Sequence, residues 1–203
     1  QPFLEAENSP AKRESLGLSP GDFVVGKIAR LFELKGHDDL FDIAPRLARR
    51  IPNIRFLLVG DGVWRGRFER LAKQIGCEQN FLFTGLVPPA EIPSLIGVMD
   101  ALVHLSRREG LPRALPQAMA AAKPVVAFNC DGAGEVCLDK KTGYLIEPGD
   151  LLKLEESLAK LANDAPLRTT LGQAGQELVK EEFSVEQLVE RQYELYKRLL
   201  AKA

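Results

Sequence analysis

Cysteine, histidine, methionine and tryptophan are all scarce in this chain, with three, two, two and one in 203 residues. Cys77, Cys130 and Cys137 are odd in number and lack the paired spacing of a metal site. They fall in apolar or loop segments, so they are expected as buried thiols of a reducing compartment rather than as a disulfide framework. Charge of either sign is not in excess: 27 basic residues face 28 acidic ones, for a formal net charge of -1. Bulk electrostatics therefore favours no nucleic-acid partner, and any anion site has to be built locally. No window approaches the ~18 or more apolar residues of a membrane span, and no charged head followed by an apolar core marks a secretory signal, so the expected location is cytoplasmic. Internal repeats and low-complexity tracts are lacking as well.

What the chain does have is 45% hydrophobic and 27% charged residues, enough for one substantial core or two small ones, with one domain the default. Short apolar runs alternate with amphipathic stretches. The runs are FVVGKIARL (23–31), IRFLLVG (54–60), NFLFTG (80–85), ALVHLS (101–106), PVVAFN (124–129) and GYLIE (143–147). They are continuous rather than alternating, as strands covered on both faces must be. Helices are expected between them over 38–50, 64–75, 90–99 and about 113–122, with one turn near Glu135. The fold class is thus α/β, a doubly wound parallel six-stranded sheet. Beyond Pro148 the strands stop. Helices over 151–163, 166–182 and 184–202 follow, separated at Asp164-Ala165-Pro166 and at Phe183-Ser184, where Ser184 is the expected N-cap. The last of them presents Leu188, Tyr193, Tyr196, Leu199 and Leu200 on one face. The polar opening, without an initial methionine, suggests a piece of something longer.

In an open parallel sheet, ligands bind beyond the carboxyl ends of the strands, so the residues there are the first candidates. After the first strand come Arg30 and Lys35, with Gly36 and His37 behind them. An arginine fork and a lysine point charge five residues apart suit a phosphate, each charge-assisted bond contributing roughly 1.5–3 kcal/mol. Two solvated surface cations are the competing interpretation, and His37 reads as a helix-start residue. After the second strand, Gly60-Asp61-Gly62 and Gly66 have the spacing G-x-G-x-x-x-G, which imitates the dinucleotide fingerprint without matching it and sits on the wrong strand. After the third, Thr84-Gly85-Leu86-Val87 could bond a flat base through its backbone or be a plain turn.

The fourth loop is SRREGLPRALPQAMA (106–120). Glu109-Gly110-Leu111 precedes a helix start, where unpaired N–H groups favour negative charge. Pro116 deep in a helix would cost ~3 kcal/mol or more, so it is expected in the first turn, with 110–115 as a coiled approach whose N–H groups point into the cleft.

These segments in this order, GKIARLFELKGH (26–37), LLVGDG (57–62), FTGLV (83–87), SRREGLPRALPQAMAAAKPVVAF (106–128) and GEVCLDKKTGYLIEPGD (134–150), make the sequence similar to the C-terminal, nucleotide-sugar-binding domain of the group 1 (family 4) retaining glycosyltransferases of GT-B fold. The resemblance runs from about Val24 to the last helix. It implies a Rossmann-like GT-B C-terminal domain that binds a nucleotide-diphosphate sugar for retaining transfer to a hydroxyl acceptor. Arg30 and Lys35 match the basic pair on the donor diphosphate, and Gly85 and Val87 the loop that holds the base. Glu109 matches the first acid of a Glu-x7-Glu signature, which contacts the sugar and the reacting centre. Gly110 and Leu111 match backbone contacts to the sugar, and Leu115 one near the phosphates. Gly26 and Gly60 belong to the same donor-binding segments. The catalytic set is accordingly Glu109, Arg30 and Lys35. The second acid, for the ribose hydroxyls, falls at position 117, where this chain has Gln117: one charge-assisted bond is given up.

The resemblance further implies residues 1–20 as an interdomain segment, 21–203 as the nucleotide-sugar-binding domain, and an N-terminal acceptor domain absent from this chain, so that the fragment binds nucleotide without turning over. No Asp-x-Asp motif is present, and neither a metal nor a cofactor is expected, the nucleotide sugar being a substrate such as a UDP sugar. Expected partners are that sugar, the chain's own missing domain and a glycan, lipid or small-molecule acceptor, with room for peripheral membrane association of the full-length protein. Two alternatives stay open: an NAD-type dehydrogenase or epimerase domain, from the Gly60-Asp61-Gly62 turn, and a non-catalytic nucleotide-binding module, from Gln117.

Overall fold

The computed structural model describes residues 2–201. Six parallel strands, β1 (Phe23–Ile28), β2 (Ile54–Val59), β3 (Phe81–Gly85), β4 (Ala101–His104), β5 (Val125–Phe128) and β6 (Gly143–Ile146), form one sheet in the order β3-β2-β1-β4-β5-β6. The apolar runs are strands for the reason expected, since crossover helices bury both faces. Phe23 and Val25 of β1 enter one core with Leu40, Phe41, Phe56, Phe68 and Phe81, while Val24 enters the other with Leu57, Met99, Leu102 and Met119.

The helices are α1 (Pro10–Ser15), α2 (His37–Arg50), α3 (Arg65–Gln74), α4 (Ile92–Gly97), α5 (Ala114–Ala120), α6 (Ala133–Val136), α7 (Leu151–Asn163), α8 (Ala165–Glu182) and α9 (Val185–Leu200). Asp150, Asp164 and Ser184 cap α7, α8 and α9 by accepting from Lys153, Leu167 and Leu-preceding Gln187 backbone N–H groups. Glu155 of α7 is buried and accepts from Arg46 at 2.6 Å and Arg50 at 3.0 Å, tying α7 to α2. Burial alone would push the Glu155 carboxyl up, but first the Arg46 hydrogen bond and then Arg50 hold it below the usual range.

The polar opening, for which no helix was expected, is structured, and three expectations are corrected after it. The polar opening contains α1, with Ser9 accepting from the Lys12 N–H, and it is folded onto the domain: buried Arg13 donates to the carbonyls of Ser19, Asp22 and Val98. Residues 90–99 form a 3-10 turn, Pro89–Glu91, followed by the short α4. Cys77 and Cys137 are buried thiols, whereas Cys130 is half-exposed with its Sγ 3.6 Å from Asp131 Oδ2. The helix expected to reach position 202 ends at Leu200, and positions 202 and 203 lie outside the described residues. Its apolar face stands exposed at Leu188, Tyr193, Tyr196, Leu199 and Leu200. Among the described residues no helix is long and apolar enough to cross a membrane.

Candidate functional site

The strand order reverses direction between β1 and β4, which is where an open α/β sheet forms its crevice. β1 and β4 pair only at Val25↔Ala101 and Gly26↔Leu102 and then part. Past that point Ile28 on one side and His104 on the other flank the opening together with the loops that follow, and Lys27 is buried beside them.

Each loop delivers its polar residues for a local reason. After β1, Gly36 turns the chain with φ +64°, and a Cβ there would meet the Leu105 carbonyl oxygen at 1.8 Å, so the Lys35 loop lies directly against the end of β4. After β4, Ser106 Oγ donates to the Leu34 carbonyl at 3.1 Å, and Arg107 N–H donates to the same carbonyl at 2.8 Å. Arg107 also grips Asp39 of α2 through two bonds of 2.5 and 2.8 Å. After β5, Asp131 Oδ2 accepts the Glu109 N–H at 2.6 Å, and Gly132 N–H donates to the Gly110 carbonyl at 3.2 Å.

Lys35 and Glu109 meet across this junction: Lys35 Nζ donates to Glu109 Oε1 in an ion pair whose side chains are 18% and 25% exposed. Burial works to raise the Glu109 carboxyl, but the Lys35 hydrogen bond and charge outweigh it and hold the group ionised below the usual carboxylate range. Beneath the pair lie Lys27, His37 and His104, all buried. Burial lowers the Lys27 ammonium to about 7, with Asp39 and Glu109 opposing and Lys35 adding to the effect. Burial, then the Lys27 and Lys35 charges, lower His37 to about 2. Burial and Lys27 likewise lower His104 to about 4, so both imidazoles are neutral at ordinary pH.

Glu109 also stands between two openings. One, of about 520 Å³, is lined by Ile28, Val87, His104, Glu109, Arg113 and Gln117. The other, of about 640 Å³, is bounded by Arg108 to Leu111 and by Asp131, Gly132 and Glu135. Lys35, Val87, Glu109, Gly110, Leu111 and Gln117 therefore gather at one end of the sheet. Arg30 is exposed there, its guanidinium 6.0 Å from the Phe32 ring.

Other expected residues have packing duties instead. Gly26 is buried in mid-strand because a Cβ would meet Met99 Sδ at 1.9 Å. Gly60 donates its N–H to the Gly85 carbonyl at 3.1 Å, joining the ends of β2 and β3, and its own Cβ position is filled by the Ala29 carbonyl oxygen at 2.3 Å. Leu115 is in the core, and its N–H is occupied by the Pro112 carbonyl at 3.1 Å, which corrects the expectation that this N–H points freely into the cleft.

Sequence reasoning overlooked Lys27, His104, Asp131 and the Asp39–Arg107 pair. His104 closes an apolar run at a strand end and carried a usable signal. Lys27 did too, as a lone cation inside a run that is otherwise buried. Asp131 and Asp39 offered none, because each acts through a loop distant in the chain.

A family model described as glycosyl transferases group 1 matches residues 8–178. A 2-deoxystreptamine glucosyltransferase of Streptomyces kanamyceticus is 32% identical over 97% of this chain and 52% of its own length. A GDP-mannose-dependent alpha-(1-6)-phosphatidylinositol monomannoside mannosyltransferase of Mycolicibacterium smegmatis is 31% identical over 80% and 44%. This chain thus spans about half the length of the curated relatives it matches. Among solved structures, Anabaena HepE in complex with UDP is 27% identical with a TM-score of 0.86, over 97% of this chain and 55% of that one. The C-terminal domain of a group 1 glycosyl transferase, LpcC of Francisella tularensis, shares the fold with a TM-score of 0.80 at 23% identity, over 90% and 98%.

Proposed function

The chain belongs to the group 1 glycosyltransferases, and on that premise we propose that the crevice between β1 and β4 binds the nucleotide-diphosphate sugar from which the whole enzyme transfers a glycosyl group, with retention, to a hydroxyl acceptor. The observation that carries this is the meeting of Lys35 and Glu109, delivered by two different strand-end loops, over the crevice.

A cation there is available to a diphosphate, and an ionised carboxylate beside it is available to sugar hydroxyls. Arg30, exposed at the same rim, adds a planar fork. Charge grows on the diphosphate as the glycosidic bond breaks, and Arg30 with Lys35 stabilises that growth from fixed positions. Glu109, held ionised, accepts from the sugar and fixes its orientation. Val87 and Gln117 line the same cleft as Glu109, which suits a base held through the loop after β3 and a ribose beside α5. This donor chemistry is metal-independent in the proposal, since the cations it uses are side chains.

The HepE complex is with UDP and the mycobacterial relative is named for GDP-mannose, so either base is compatible with this family. The acceptor, glycan, lipid or small molecule, is assigned to an N-terminal domain outside this chain, and with it any peripheral membrane association and a place in cytoplasmic glycan synthesis. By this proposal the isolated chain binds nucleotide and does not turn over.

Titration calorimetry with UDP, GDP and NAD in parallel tests the proposal. UDP or GDP is expected to bind in preference to NAD, and Arg30→Ala to weaken that binding by roughly 1.5–3 kcal/mol. Preferential NAD binding would sink the proposal, and unaltered affinity in the variant would remove Arg30 from the site.

A further inference from the structure

His104 ends β4 with its side chain only 8% exposed, and its Nε2 is a buried polar atom with no hydrogen-bond partner among the described residues. Such an atom is uncommon in a folded protein and needs an account. Nε2 lies 4.0 Å from Glu109 Oε1, and Oε1 is the same oxygen that Lys35 holds. A closing movement of about 1 Å would bring the two within hydrogen-bonding distance.

The donor site makes conflicting demands on Lys35. Its ammonium is the partner of Glu109 in the ligand-free protein, and the same ammonium has to reach a diphosphate. If it left with nothing in its place, Glu109 would keep a part-buried carboxylate oxygen without its strongest partner. The unsatisfied Nε2 stands beside that oxygen.

We propose that Glu109 exchanges partners when a nucleoside diphosphate binds: Lys35 moves from Oε1 to the phosphate oxygens, and the Nε2–H of His104 takes up Oε1. His104 is then a positioning residue that keeps Glu109 aimed into the cleft while Lys35 serves the phosphates. The exchange rests on the donor-site proposal above for its trigger. A neutral imidazole suits the role, because it donates from Nε2 without competing for the charge of the carboxylate. The surroundings keep it neutral: the charges acting on it are Lys27 of β1 and Lys35 of the following loop, opposed by Glu109. The step moves no proton and breaks no covalent bond; one donor replaces another at Oε1.

The chain has two histidines, so nitrogen-15 spectra of its imidazoles resolve into His37 and His104, and His37 serves as a reference within α2. Two arms are measured. In the ligand-free arm, Lys35→Met removes the resident partner. His104 is expected to gain a slowly exchanging, downfield Nε2–H signal, and its pKa to rise toward the ordinary histidine range as the lowering charge of Lys35 is removed. In the Lys35→Met, Glu109→Ala double variant the downfield signal is expected to vanish. In the second arm, saturating UDP is expected to produce the same Nε2–H signal in the unaltered chain.

A His104 spectrum that Lys35→Met leaves unchanged overturns the exchange, as does a downfield signal that persists without Glu109. UDP binding with no response at His104 overturns it too, while leaving the donor site intact. Failure of UDP to bind alongside a positive Lys35→Met result overturns the donor site instead, and leaves the pairing of His104 with Glu109 standing.

Discussion

At position 117 an amide stands where the family resemblance places an acid, and the structure puts that amide on the wall of the cleft that also holds Val87 and Glu109. Gln117 is the fourth residue of α5, its N–H donates to the Arg113 carbonyl at 3.3 Å, and it lines the opening. A carboxylate there would accept from a ribose hydroxyl as a charge-assisted bond, roughly twice as strong as the amide's. Gln117→Glu is therefore expected to tighten UDP binding by about 0.5–1.5 kcal/mol, read by calorimetry. Unchanged affinity would show that the amide already suffices and would remove the argument for a non-catalytic module. Residue by residue, Lys35 and Glu109 could be read in the sequence because a charge at an apolar strand's end points to a cleft there, whereas Gln117, inside α5, stood out only through the family resemblance. Lys27 and His104 carried a fainter signal, Lys27 as a lone cation within an apolar run and His104 as the residue at a strand's end, and neither signal says what the residue faces. Their burial depends on α2 and on the parting of β1 from β4, which no local pattern records.

Among elements, the start of α5 shows how a proline is accommodated. The helix begins at Ala114, so Pro116 is its third residue, and the N–H it lacks is one that no intrahelical carbonyl would have met. The turn at Gly36 is the opposite case, being left-handed and pressed against the Leu105 carbonyl. Two substitutions by alanine separate these situations. Pro116→Ala is expected to change stability by less than about 1 kcal/mol, because no backbone bond is gained or lost. Gly36→Ala is expected to cost about 1–3 kcal/mol or more from backbone strain and to weaken UDP binding as the Lys35 loop is pushed off β4. Urea unfolding and calorimetry on both variants check this, and equal stability losses would contradict it. The expected strands were right in number and in place along the chain but ran long, β1 to 31 instead of 28 and β4 to 106 instead of 104. The reason is physical: Leu31, Leu105 and Ser106 stay buried, so the apolar signal continues, while the ladder between β1 and β4 has already stopped. α1 escaped notice because a six-residue polar helix has no apolar face to read, and Arg13 anchors it through long-range carbonyls instead.

For the molecule as a whole, the cations and imidazoles beneath the crevice tie folding to pH. Lys27 is 2% exposed, and burial, against the pull of Asp39 and Glu109, lowers its ammonium from 10.5 to about 7. Between those two values the unfolded chain holds a proton that the folded chain has largely released. The unfolded state therefore binds more protons, and stability rises with pH across the window. His37 and His104 act with the same sign but lower down, where falling pH charges the unfolded imidazoles first, so neither contributes above about pH 7. The thiols, raised by burial, reverse the sign only where free cysteine ionises, near pH 9. Across pH 7 to 8.5 Lys27 is expected to contribute a gain of about 1.5 kcal/mol, and Lys123, whose ammonium burial also lowers, acts with the same sign. Urea unfolding of the unaltered chain should show this rise, and Lys27→Met, which keeps the stem and deletes the charge, should be more stable at pH 7 and rise less steeply over the same range, keeping only the part that Lys123 supplies. A variant that keeps the slope would place its origin in another group, and a variant less stable at pH 7 would mean that Asp39 and Glu109 repay the burial of the ammonium in full.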